Sequence, residues 1–441
     1  MTIRRSLVAA SLTAAAIAGG AQAQPRTDLP PYSTGPSWTG FYLGGDFGAG
    51  GTLRRANASP GNGAATLNVD GLGGSGILAS VHGGVDYQVI PQGVIGLLAE
   101  GTWSNMTGSM SAQVPGANAN VSSQANLGVA ILARAGVLVT PSSLLYATGG
   151  YAGQNFHTSG TAAAGGAFAS FSRDDYFNGW TVGGGLETML RGGWSAKLEY
   201  RYSQFESKFI PTNAVTIQPF MHTARLGLSY RFGAGHESAE EPAAAGRRDW
   251  TGVYGGVAGG AGLLVNRLSA RSGGASASVD NGGQGLLGSV FLGGDYQFDD
   301  RFLIGLLGDL TWPGLQSVLT AGGGGASATV TSHTNMNWTL AARLGWLATP
   351  STLLYALGGY TNQSVTTTGY AGNGSTIFSS EDRLSGFTVG PGFEVMIAKG
   401  WSTRLEYRYS QFETRTLLSG VTMQPSTHTV RAGLAYRFGV N

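Results

Sequence analysis

The chain contains no cysteine. Disulfide frameworks, thiol catalysis, cysteine-ligated metals and lipid attachment at an N-terminal cysteine are thereby excluded. Charge is scarce too: Asp, Glu, Lys and Arg make up 11% of 441 residues, and the net charge is +2. No basic surface for nucleic acid follows from such a composition. Only six histidines occur, none at a metal-ligand spacing such as H-x-x-x-H. Beyond the N-terminal segment no run of roughly 18 uninterrupted apolar residues exists, so a helical membrane protein is not expected.

Glycine is what the chain has in excess, 74 residues without a Gly-X-Y period. It falls inside apolar alternating runs, as at Gly44-Gly45 and Gly183–Gly185. That suits strands that bend sharply or let side chains from opposite walls meet. Residues 1–23 read as a secretory signal peptide: Arg4-Arg5, a short apolar stretch over Ser6–Ala18, and Ala21-Gln22-Ala23 before the cleavage point. Residues 24–37 are Pro-rich and read as a linker.

From Trp38 onward the chain says everything twice. LEYRYSQFE stands at Leu198–Glu206 and again, unchanged, at Leu405–Glu413. WTGFY at Trp38 answers WTGVY at Trp250, IGLLAEGTW at Ile95 answers IGLLGDLTW at Ile304, and LLYATGGY at Leu144 answers LLYALGGY at Leu353. A repeat of about 200 residues is a duplicated domain and not a solenoid. The units span 38–232 and 250–438, with a charged, Ala- and Pro-containing linker over 233–249 that reads as a solvated tether.

Each unit holds about eight strand-like runs of the length a tilted membrane strand needs. Tight turns at Pro91-Gln92, Pro141-Ser142 and Arg191-Gly192 alternate with long Gly-, Ala-, Ser- and Asn-rich stretches read as loops: Gly51–Gly74, Ser104–Gln124, His157–Tyr176 and Glu206–Pro219. Short turns on one side and long loops on the other are the pattern of outer-membrane β-barrels. The fold class expected is therefore all-β, a transmembrane antiparallel barrel. A soluble up-and-down barrel would not need its loops sorted by side.

Register sharpens this reading, because a slip of one residue turns every side chain over. Where Val85, Tyr87, Ile95, Leu97, Ile131, Val182, Leu226 and Leu228 form the apolar face, the charges fall on the other. A Lys or Arg facing lipid at the midplane costs about 2–4 kcal/mol. The inward set in the first unit is Asp86, Glu100, Glu187 and Glu199 against Arg134, Lys197, Arg201, Arg225 and Arg231. In the second it is Asp295, Asp309, Glu394 and Glu406 against Arg343, Arg404, Arg408, Arg431 and Arg437. Each half nearly neutralises itself. That favours two eight-stranded barrels filled by paired charges. The alternative is one sixteen-stranded barrel with a wet lumen, a porin for small hydrophilic solutes. There the 233–249 connection should be a short periplasmic turn, and it is long.

Catalytic, cofactor and metal residues are not assigned. His222 and His428 are equivalent and open the last strand of each unit, but no Ser or Asp can be placed beside them. His157, His236 and His333 have no counterpart in the other unit, and His82 corresponds to Phe291. Trp38, Trp194, Trp250 and Trp401 lie at strand starts on the short-turn side and read as interfacial anchors in contact with lipid.

The opening W-T-G-[FV]-Y, the late G-W-S-x-[KR]-L-E-Y-R-Y and the closing Y-R-F, present in order in both units, resemble the small outer-membrane barrels of alphaproteobacteria, the Omp25/Omp31-like (opacity-type) family. The resemblance implies an eight-stranded barrel inserted by the barrel-assembly machinery, exposed to the surface as an antigen and contributing to envelope integrity. This chain departs from the family in carrying two units, in continuing past Phe438 with Gly439-Val440-Asn441, and in placing Pro391 within an expected strand. A bulge or distortion is expected there.

Overall fold

Alternation with a period of two runs further along the chain than the sequence reading placed it. The computed structural model describes residues 36–58, 65–210, 215–232, 249–323 and 326–439. The signal segment, most of the Pro-rich segment and the 233–248 part of the linker, with His236, lie outside the described residues.

The first half comprises β1 (Gly40–Ala58), β2 (Ala65–Ile90), β3 (Gly93–Ser104), β4 (Thr107–Val114) and β5 (Ala117–Thr140). It continues with β6 (Ser143–Ala164), β7 (Ala167–Met189), β8 (Trp194–Phe205), β9 (Lys208–Ile210) and β10 (Val215–Arg231). The second half repeats the series as β11 (Gly252–Ser272), β12 (Ala275–Gln297), β13 (Phe302–Pro313), β14 (Gln316–Gly323) and β15 (Ala326–Thr349). Then follow β16 (Thr352–Ala371), β17 (Thr376–Ala398), β18 (Trp401–Phe412), β19 (Arg415–Leu418) and β20 (Val421–Arg437). Every pairing is antiparallel, and in each half the last strand returns to the first: Tyr42 is opposite Arg231, and Tyr254 opposite Arg437.

The stretches expected as loops are therefore largely strand. His157–Tyr176 is a continuous hairpin, Ala162 facing Ala169 across it, and Ser104–Gln124 contributes β4 and the start of β5. Their Gly, Ala, Ser and Thr residues alternate without an internal Pro over long spans, so the backbone groups keep pairing beyond the apolar band. At Pro391 the ladder to β18 lapses between Val389–Tyr409 and Gly392–Glu406 without a register slip. Proline has no N–H to donate, and of the bulge or distortion expected there the strand shows a gap in the ladder and no bulge.

Register faces the apolar residues outward as expected: Phe41, Leu43, Val81, Leu97, Ile131 and Leu228 are exposed, as are Leu292, Leu306, Leu340 and Leu434. One outward face is an exception. Leu198, with Leu186, Ala196 and Ala224, is buried against Phe393, Val395, Leu405, Tyr407 and Val430 of the other half. The strand that recurs unchanged is thus covered on both faces. Beyond the apolar band the halves exchange strand pairings reciprocally. Met110–Gln113 of β4 pair with Ser276–Val279 of β12, and Leu319–Gly323 of β14 with Ala65–Val69 of β2.

Candidate functional site

Inward-facing side chains stack in three layers. At the short-turn end of the first half, Trp38, Val94, Leu144, Tyr146 and Met189 pack together. At the far end Leu78, Met106, Phe156, Phe177, Phe205 and Met221 do so. The second half has matching clusters around Trp250, Leu303 and Leu353 and around Val365, Leu384 and Phe412. The charges lie between.

Trp38 and Trp250 are not interfacial anchors. Both are fully buried, whereas Trp194 and Trp401 are about half exposed at 48% and 47%. The indole Nε1 of Trp38 donates to the Pro141 carbonyl at 3.3 Å, and that of Trp250 to Pro350 at 3.2 Å. The guanidinium groups of Arg231 and Arg437 stand over the two rings at 5.1 and 5.3 Å. A tight turn supplies the acceptor and the closing strand the cation, which draws each indole inside.

All eighteen predicted interior charges are buried. Arg134 grips Asp86 with two bonds, Nε to Oδ1 at 2.8 Å and Nη2 to Oδ2 at 2.6 Å, and reaches Glu187 through Nη1 at 2.8 Å. Arg231 adds a second cation to Asp86 at 2.8 Å, and Ser195 donates to Glu187 at 2.7 Å. Arg201 joins Glu199 and Glu100, Arg225 also meets Glu100, and Tyr146 donates to Glu199 at 2.7 Å. The second half repeats the arrangement. Arg343 bridges Asp295 and Glu394, Arg437 adds to Asp295, and Ser402 donates to Glu394. Arg408 spans Asp309 and Glu406, Arg431 meets Asp309, and Tyr355 donates to Glu406. A planar guanidinium can grip one carboxylate with two parallel N–H bonds and still reach a second, a fork geometry that the ammonium of a lysine lacks.

The halves differ at one level. Lys197 pairs with Asp46 at 3.1 Å, and Asp46 also meets His82 Nδ1 at 3.2 Å, while His82 Nε2 lies 3.0 Å from Ser229 Oγ. Glycine at position 44 permits this approach, since a Cβ there would fall 2.6 Å from both His82 Nε2 and Ser229 Oγ. The corresponding residues of the second half are Ala258, Phe291 and Ala435, and Arg404 in place of Lys197 stacks over Phe291 at 4.1 Å. Asp46 was missed in the sequence, although β1 shows the same signal as its neighbours: Phe41, Leu43 and Phe47 on one face, Tyr42 and Asp46 on the other. His82, Asp46 and Glu100 bring ligand-type atoms within 4.8 Å of one another. Their charge is already met by Lys197, Arg201 and Arg225, so the cluster is an ion-pair network complete in itself.

His222 and His428 sit on the outward face between the halves. Each Nδ1 is 2.7 Å from a tyrosine hydroxyl, Tyr200 and Tyr407 respectively, and His222 Nε2 is 2.8 Å from Gln284 Oε1 of the other half.

The model of the outer membrane protein beta-barrel domain matches this chain twice, over residues 8–232 and 238–438. The 31 kDa outer-membrane immunogenic proteins of Brucella melitensis and Brucella suis are each 27% identical to it over 203 residues, which cover 44% of this chain and 84% of theirs. Among solved structures, Ail of Yersinia pestis aligns with 42% of this chain and 99% of its own at 14% identity and a TM-score of 0.23. A FadL homologue of Pseudomonas aeruginosa aligns with 91% of this chain and 90% of its own at 12% identity and a TM-score of 0.28. With strands that pair throughout, apolar side chains turned outward and a family match in each half, the chain belongs to the outer membrane protein beta-barrel family of the bacterial outer membrane.

Proposed function

We propose that the chain is a pair of filled eight-stranded barrels lying side by side in the outer membrane, with a structural and surface-exposed role in the envelope. The observation that carries this reading is the closed ion-pair network between two apolar plugs in each half. An aqueous pore needs a continuous polar path, and Trp38 at one end and Phe156, Phe177 and Phe205 at the other leave apolar surface across it. The return of β10 to β1 and of β20 to β11 supports two rings over a merged sixteen-stranded one.

Catalysis is not part of this reading. The Asp46–His82–Ser229 string has the order of a nucleophilic triad, but all three side chains are buried and Lys197 Nζ lies 3.5 Å from His82 Nε2. A triad acts only where a substrate carbonyl can reach the hydroxyl and an oxyanion donor. The partners in this reading are outer-membrane lipid along the apolar band and the barrel-assembly machinery during insertion, after export by the cleavable signal peptide.

The cysteine-free sequence makes surface exposure simple to test. On intact cells a membrane-impermeant maleimide should label Ala163→Cys, at the tip of the β6–β7 hairpin, and not Gly192→Cys, in a short turn. Labelling of Gly192→Cys alone would reverse the orientation, and equal labelling of both would contradict insertion across the membrane.

A further inference from the structure

Beyond the apolar band, strand exchange joins the halves into two sheets. One runs β7–β6–β5–β4–β12–β11–β20–β19, the other β17–β16–β15–β14–β2–β1–β10–β9. Charge, short length and irregularity keep a sheet edge from pairing further. Among the described residues three of the outer edges carry such protection. β9 and β19 are three and four residues long and hold Lys208 and Arg415. β17 has a register shift against β16 between Gly369 and Tyr370, and Glu381, Asp382 and Arg383 follow in its free stretch. β7 differs. Its Ala167–Ser172 segment (AFASFS) has no charge and no proline, and it pairs with β6 without a register shift. Ala167–Asp174 are all exposed, Phe168 by 71%. Pairing with β8 begins only at Gly179, and Lys208 Nζ and Glu206 Oε1 cap the edge just above it, at the Tyr176 carbonyl and the Asn178 N–H. Among the described residues no strand pairs with the outer edge of Ala167–Asp175.

We infer that this edge pairs, antiparallel, with the same edge of a second copy of the chain held in a facing membrane. The inference rests on the β6–β7 hairpin standing outside the cell, as proposed above. The chain already builds with such contacts. Met110–Gln113 and Ser276–Val279 join edge to edge, and Ala275–Ser278 (ASAS) has the small, alternating character of Ala167–Ser170 (AFAS). The edge also fits itself. Two identical antiparallel strands are related by a two-fold axis through the sheet, so residues on the same face stand opposite each other. Centred on Ser170, the pairing sets Phe168 opposite Ser172, Ala169 opposite Phe171 and Ala167 opposite Arg173. Each phenylalanine meets a small residue and no charge meets a charge. In every copy β7 descends from the hairpin tip toward the membrane. Copies in one membrane bring these edges together running the same way, and antiparallel pairing requires membranes that face each other. A pairing this short belongs with the weak interfaces below about 1,200 Å². Many copies on two opposed surfaces supply the avidity.

The test is vesicle clustering. The refolded full chain is placed in phosphatidylcholine vesicles, two batches carry different fluorophores, and their mixture is read by fluorescence cross-correlation. Maleimide labelling of Ala163→Cys from outside identifies the refolding conditions that leave the hairpin facing out. Silence from such vesicles counts against the edge, whereas a wrong orientation in cells would show only in the whole-cell labelling. Wild-type vesicles should cluster with one another and not with protein-free vesicles. Ser170→Lys and Ser170→Glu, at an exposed position, each set like charges across the axis and should abolish clustering. Mixing Ser170→Lys vesicles with Ser170→Glu vesicles should restore it, which a folding defect could not do. No clustering by the wild type, clustering unchanged by either substitution, or no recovery in the mixture of the two folded variants would overturn the proposal.

Discussion

Ser143 Oγ and Thr352 Oγ1, the same position in the two halves, lie 3.1 Å apart. The Thr188 hydroxyl joins them, 3.2 Å from Thr352. Equivalent residues meeting each other is the mark of a self-complementary contact, as in a two-fold dimer, here made within one chain. Leu198 and Leu405 share one buried cluster in the same way. Replacing both hydroxyl residues, Ser143→Cys with Thr352→Cys, should therefore give a disulfide within one chain under mild oxidation. Gel mobility of the oxidised protein, unchanged on dilution, checks this; bonds only between chains, or none with both thiols reactive, would contradict the interface.

Arg134 holds Asp86 and Glu187 together in a buried setting. Arg134→Ala leaves two carboxylates short of a cation, and a loss of about 3–5 kcal/mol is expected from breaking such a pair. Urea unfolding in detergent measures it. Arg343→Ala should match it in the second half, because Arg343 bridges Asp295 and Glu394 in the same way.

The two tryptophan environments predict unequal effects. Trp38 fills the base of the first half, and Trp38→Ala should cost about 3–5 kcal/mol by leaving a cavity. Trp194 is half exposed and contacts Tyr230 at 5.4 Å between ring centres. Loss of that aromatic pair costs about 1 kcal/mol. The same urea titration ranks them, and equal effects would contradict the placement of Trp38.

A fluorophosphonate probe tests the buried Asp46–His82–Ser229 string. The folded protein should leave Ser229 unmodified under conditions that label an active serine hydrolase. Peptide mass spectrometry showing stoichiometric adduct on Ser229, abolished by His82→Phe, would make the chain an enzyme after all.

The barrel-wall character was legible because lipid and a filled interior impose opposite demands on alternate residues. Asp86, Glu100 and Arg134 could be placed inward from the strand neighbours that had to face lipid. Trp38 was misplaced because position near a strand start does not say on which side of the wall an indole lies; the Pro141 carbonyl and Arg231 decide that, and both are distant in sequence. The interface between the halves was hidden for a different reason. Leu198 and Tyr200 look the same facing lipid or facing the other half of the chain, since both surroundings are apolar. The unchanged LEYRYSQFE was the available signal, being the strand with constraints on both faces. The extended hairpins were missed because Gly-, Ala- and Ser-rich segments carry weak strand propensity, and their pairing partners lie partly in the other half.

Single-channel recording on the refolded mature chain in a planar bilayer tests the filled-barrel account most directly. The account predicts a silent protein, or rare small steps, from material shown to be folded by its resistance to unfolding in detergent. Large and reproducible conductance steps would contradict it and require a water-filled lumen that the Trp38 and Phe156 layers do not leave.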